Sequence, residues 1–145
     1  IRTGYTCNCA HGISLADMGS GHVLIEEIIF DTDDSCVTGA NSASTALIRG
    51  CRGKTRWRGF SNLNRSVIEN CAVEYEWSQY YSDTPGMVNG EELTVRDSSF
   101  TCIIPEGYGV GDDSPVLIHI PAVYGCVDKP NIFERCTFLI AAFQF

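Results

Sequence analysis

Glu74 and Glu76 stand two residues apart in the segment Val73-Glu74-Tyr75-Glu76-Trp77. On an extended strand such residues face the same side, with Cα atoms about 6.6–7 Å apart. Carboxylates so placed could approach either separation used by glycosidases, so the spacing leaves retaining and inverting chemistry equally open. Arg56 falls beside them once the chain is aligned by its internal repeat, completing a candidate catalytic group of Glu74, Glu76 and Arg56. The competing reading is a solvated ladder of opposite charges that pins neighbouring strands in register.

Two stretches add groups suited to sugars. Residues 78–90 follow Trp77 and hold Tyr80, Tyr81 and Asp83; residues 103–114 hold Glu106, Tyr108, Asp112 and Asp113. Aromatic faces stack on the CH faces of sugar rings, and carboxylates accept their hydroxyls. Trp77, Tyr80, Tyr81, Tyr108, Asp112 and Asp113 are therefore the candidate carbohydrate-binding residues. The same aromatics would also serve to cover a core edge, and both readings stand.

Other chemistry is thinner. Asp31-Thr32-Asp33-Asp34 offers clustered oxygens to a hard cation but lacks the EF-hand spacing, and reads as a turn. His11, His22 and His119 show no ligand spacing. No Gly-x-Ser-x-Gly, phosphate-binding loop or His-Glu-x-x-His occurs. No metal and no other cofactor is expected.

Composition narrows the classes. Ten Lys and Arg against 18 Asp and Glu give 145 residues a net charge of −8. That argues against nucleic acid, whose phosphates reward a basic face. Hydrophobic residues make up 44% and charged residues 19%, enough for a core and too little charge for a disordered tail. No apolar run approaches the roughly 20 residues of a membrane span, so no membrane insertion is expected. The chain opens on Ile1 without a visible signal peptide, and is expected to be processed or a fragment of a longer one.

The elements that must carry these residues follow from a repeat. Leu24-Ile25-Glu26-Glu27-Ile28-Ile29-Phe30, Leu47 to Gly53, Val67 to Val73, Thr94 to Phe100 and Ile132 to Phe138 share one shape. Each has two residues, mostly apolar, then two polar or small ones, then mostly a Cys or Ser, then often an apolar residue two further on. The anchors Ile25, Ile48, Ile68, Val95 and Phe133 are 23, 20, 27 and 38 residues apart. A coil of roughly 20 or more residues is what one turn of a β-solenoid needs. The strands are short, β-branched and bounded by turn residues, and helix signals are weak. Gly12 to Met18 and Pro115 to Ile120 read as strands on other faces of the coils.

The pattern in Val67 to Val73 and Ile132 to Phe138 resembles the rung of a right-handed parallel β-helix, as in pectate-lyase-like proteins and phage tailspikes. The resemblance spans about residues 10 to 145 and implies architecture more than chemistry. It implies an all-β, single-stranded right-handed parallel β-helix of about five to six coils. Residues 1–145 are expected to form one domain, with loop insertions at about 78–90 and 103–114. The same resemblance implies that the chain would be a tailspike or tail-fibre domain recognising a bacterial surface polysaccharide, with glycosidase or lyase activity left open. It would assemble as a homotrimer in the tail of a virion. The alternatives are a non-catalytic structural or adhesive β-helix and a secreted polysaccharide lyase.

Aligned coils turn the sequence into columns stacked about 4.8 Å apart. Three after the anchor come Ile28, Cys51, Cys71, Ser98 and Cys136; five after come Phe30, Gly53, Val73, Phe100 and Phe138. Both columns are expected to point inward. Six after come Asp31, Lys54 and Glu74, and eight after come Asp33, Arg56 and Glu76, both outward. Eight cysteines invite disulfides, but an inward column of Cys51, Cys71 and Cys136 predicts free buried thiols and folding in a reducing host cytoplasm. The C-terminal run from Phe138 to Phe145 has no charged side chain. Phe138 and Ile140 are expected in the core, and the remainder is expected to be covered by more chain or by neighbouring subunits.

Overall fold

In a computed structural model the described residues are 6–9, 12–15, 19–39, 44–56, 58–76, 88–104, 123–125 and 130–142. They form sixteen strands. The chain begins with β1 (Thr6–Cys9), β2 (Ile13–Ser14) and β3 (His22–Glu26), then β4 (Ile29–Thr32), β5 (Ser35–Thr38) and β6 (Thr45–Arg49). It continues through β7 (Arg52–Thr55), β8 (Arg58–Asn64), β9 (Val67–Glu69), β10 (Ala72–Glu76), β11 (Val88–Glu91) and β12 (Thr94–Arg96). It ends with β13 (Ser99–Ile104), β14 (Val123–Gly125), β15 (Ile132–Glu134) and β16 (Thr137–Ala142).

Every third strand is a neighbour. The first sheet runs β1-β4-β7-β10-β13-β16, the second β14-β11-β8-β5-β2 and the third β15-β12-β9-β6-β3, with every pairing parallel. The chain is thus a parallel β-solenoid with three faces. About three turns close on all three sheets with their side chains described, and strand pairing extends them at both ends. That corrects the expected five to six coils. Of the expected insertions, residues 88–90 lie in β11 and 103–104 in β13; residues 78–87 and 105–114 lie outside the described residues, as does Pro115 to Ile120.

The anchors align as the repeat predicts: Ile25 on Ile48, Ile48 on Ile68, Ile68 on Val95, and Val95 on Phe133. The first four are fully buried. A second inward column, Ile13, Val37, Phe60 and Val88, joins the strands of the second sheet, and β14 extends that sheet by pairing with β11. Phe30, Phe60 and Phe100 are the largest buried side chains, and Phe60 meets Phe100 edge-on at 6.2 Å between ring centroids. Gly53 sits in the aromatic column at φ 145°, where a Cβ would collide with the Phe30 carbonyl. Phe138 stacks on Phe100 at 5.4 Å but is 41% exposed, because no described rung covers its far side. It therefore points along the inward column as expected, and among the described residues it is covered on one side only.

The corner between the third and first sheets explains the two polar or small residues of the repeat. Its second residue is Glu27, Gly50, Asn70, Asp97 or Arg135, at φ between 51° and 63° in all five rungs. One left-handed residue turns the strand sharply, and its N–H donates to the next rung, as Asn70 does to the Arg96 carbonyl at 3.2 Å. The residue after it sends its side chain back across the turn. Cys51 donates to the Arg49 carbonyl at 3.5 Å and Cys71 to Glu69 at 3.3 Å. Ser98 donates to Arg96 at 2.8 Å and Cys136 to Glu134 at 3.4 Å. Cys36, Cys51, Cys71, Cys102 and Cys136 are all free thiols. The inward column is present, but its members are hydrogen-bond donors to the corner as well as small hydrophobes.

Candidate functional site

The outer face of the first sheet carries the columns that hold Glu74 and Glu76. On β4, β7, β10 and β13, odd and even residues alternate between core and water. Asp31 lies in register with Lys54, Lys54 with Glu74, and Glu74 with Thr101. Two residues earlier on each strand the outward positions are Ile29, Arg52, Ala72 and Ser99. The long side chains of Ile29 and Arg52 stand beside the short ones of Ala72 and Ser99. The step leaves an open groove of about 500 Å³, bordered by Asp31, Lys54, Glu74 and Thr101.

Ion pairs divide these charges unevenly. Lys54 Nζ is 3.6 Å from Asp31. Arg56 binds Asp33 and lies 3.9 Å from Asp31. Among the described residues, Glu74, Glu76 and Arg52 make no ion pair. Glu74 and Glu76 do share the outer face of β10, both exposed. Arg56 is turned toward the acids of the preceding rung, and the cation in register with Glu74 is Lys54. Of the candidate catalytic group, only Glu74 borders the groove. Trp77, Tyr80, Tyr81, Tyr108, Asp112 and Asp113 lie outside the described residues.

Sequence reasoning missed Arg52, which lies in the column four after the anchors. Its column-mates Ile29, Ala72, Ser99 and Thr137 are all uncharged, so the column gave no charge signal. It also missed the column one after the anchors: Glu26, Arg49, Glu69, Arg96 and Glu134, an unbroken alternation of acid and base. Arg49 binds Glu26, and Arg96 reaches Glu69 at 2.5 Å. At the adjoining corner Arg135 holds Asp97 at 2.5 and 2.8 Å and keeps its carboxyl below the ordinary range.

Among the described residues no group of three or more His, Cys, Asp or Glu side chains could hold a metal ion. Cys51 and Cys71 come nearest to a thiol pair. The neighbouring Cys51 thiol, and then burial, hold the Cys71 thiol above its ordinary range, and Cys71 donates to the Ile48 and Glu69 carbonyls. The chain matches no protein-family model, no curated protein and no solved structure.

Proposed function

We propose that this solenoid recognises a carbohydrate polymer along the outer face of its first sheet, as the right-handed β-helix domain of a phage tailspike or tail fibre attaching to a bacterial surface polysaccharide. The observation that carries the reading is the groove across β4, β7, β10 and β13. A linear ligand laid along the solenoid axis meets a new rung about every 4.8 Å. It finds Arg52 and Lys54 as donors, Asp31 and Glu74 as acceptors, and the Ser99 and Thr101 hydroxyls as both. Ile29 and Ala72 offer apolar surface to the CH faces of a ring. In this reading Glu74 is the carboxylate placed to act on the bound polymer, with Glu76 next to it on the same strand. A secreted polysaccharide lyase would use the same groove.

A structural or adhesive role without catalysis is the second reading. The alternating ladder of Glu26, Arg49, Glu69 and Arg96 favours it, since opposite charges on adjacent rungs stabilise register whether or not anything is bound. Incubation with capsular and O-antigen polysaccharides, followed by binding and reducing-end assays, separates the two. The carbohydrate reading expects retention of at least one polymer, weakened about tenfold or more by Arg52→Ala at unchanged fold. Release of reducing ends that Glu74→Gln abolishes would add hydrolysis. Retention of none of these polymers would leave the structural role.

A further inference from the structure

The charges along the groove do not cancel evenly. Along the solenoid axis one row of it is Ile29, Arg52, Ala72 and Ser99, and the other is Asp31, Lys54, Glu74 and Thr101. Lys54 and Arg56 are taken up by acids of the rung before. Lys54 lies 3.6 Å from Asp31, and Arg56 binds Asp33 and lies 3.9 Å from Asp31. Two opposite charges are left over. Arg52 and Glu74 are both exposed, and neither makes an ion pair among the described residues. Arg52 is in register with Ala72, two residues short of Glu74, so the two stand on a diagonal. The rung of Arg52 is thus a cationic step with an acid on either side, Asp31 before it and Glu74 after it. Each step is about 4.8 Å along the axis, close to the advance of one sugar residue in an extended polymer.

We infer that the polymer laid in this groove carries a carboxylate on one residue and none on the residues to either side of it. The inference rests on the carbohydrate reading and specifies the ligand. The carboxylate sits over β7, where the Arg52 guanidinium receives it through two parallel N–H···O bonds. The next residue sits over β10, where Glu74 accepts a hydroxyl or an amide N–H. The residue before sits over β4, its CH face on Ile29 and its hydroxyls toward Asp31. A neutral polymer leaves the Arg52 charge covered without a partner, which costs affinity. A polymer with an acid on every residue sets one carboxylate against Asp31 and another against Glu74, and like charges so placed repel. Lys54 offsets Asp31, so Glu74 is the stronger barrier.

Three forms of one polymer test this on the intact chain: the capsular or O-antigen polymer it retains most strongly, the same polymer with its carboxyl groups reduced to alcohols, and the same polymer with its primary hydroxyls oxidised to carboxylates. The retained polymer should carry spaced carboxylates. Reduction and oxidation should each weaken binding about tenfold or more at low ionic strength. Arg52→Ala should bind the native and reduced forms alike, and Glu74→Gln should recover about fivefold or more of the binding lost on oxidation. A retained polymer that is neutral overturns the inference while the carbohydrate reading stands. So does a reduced or an oxidised form bound as tightly as the native one, or a Glu74→Gln variant that recovers none of the loss. Retention of no polymer at all removes the carbohydrate reading and this inference with it. The three forms are compared on the parent chain, so that readout survives even if a variant fails to fold.

Discussion

Cys36 lies wholly within the core, and burial pushes its thiol from an ordinary 9.0 up to about 12. Burial likewise takes Cys102 to about 11. A raised value means that the native state keeps a proton the unfolded chain has already lost. The contribution is therefore fully present below about pH 9 and disappears as pH rises toward 11 for Cys102 and 12 for Cys36. Across that window each thiol should subtract about 1.4 kcal/mol of stability per pH unit. Urea unfolding at pH 8.5, 9.5 and 10.5 measures the slope, and Cys36→Ala should make it shallower. An identical slope in Cys36→Ala would mean that the thiol ionises as readily in the native protein as in the unfolded chain. The cysteines at the corner were legible in the sequence as inward residues, because they recur at one place in the repeat. Their bonds to the corner carbonyls were not, since an inward small residue reads the same with or without such a bond.

The corner is the element that repeats most faithfully, and it sets what a substitution there does. Glu27, Asp97 and Arg135 accept a left-handed conformation that costs a residue with a side chain about 1 kcal/mol or more, while Gly50 is free of that strain. The bond from the following side chain to the corner carbonyl helps hold it. Ser98 makes that bond with a hydroxyl in the place where Cys71 makes it with a thiol. Cys71→Ser should therefore cost less than about 1 kcal/mol, whereas Cys71→Val, which leaves the Glu69 carbonyl without this donor, should cost about 1–3 kcal/mol. Thermal unfolding of the two variants gives the order; Ser destabilising more than Val would show that the column tolerates only apolar contacts. The third and first sheets were visible in the sequence because their anchors alternate cleanly. The second sheet was hidden for reasons its strands display. Ser35 and Ser61 are both buried and face each other at 3.2 Å, so polar residues occupy inward positions. Asn62 has positive φ, and the pairing of β8 with β11 shifts between Val88 and Gly90, so the alternation breaks within the strand.

At the scale of the molecule, three parallel sheets give three outer faces with different characters. The first carries the groove, and the third carries the alternating ladder of Glu26, Arg49, Glu69 and Arg96. The outward placing of Glu74 and Glu76 could be read from strand alternation alone. The groove could not, because it arises from the size step between Ile29 and Arg52 on two rungs and Ala72 and Ser99 on the next two. Nor could the capture of Arg56 by Asp33, which depends on which of two flanking rungs a flexible guanidinium reaches. The most direct test of the carbohydrate reading is titration of the isotope-labelled chain with an oligosaccharide from a polymer it retains, following backbone amide shifts. The account predicts that the largest changes cluster at Arg52, Lys54, Ala72, Glu74, Ser99 and Thr101 on neighbouring strands of the first sheet. Saturable binding that leaves those amides unmoved, with the changes confined to the second or third sheet, would contradict it.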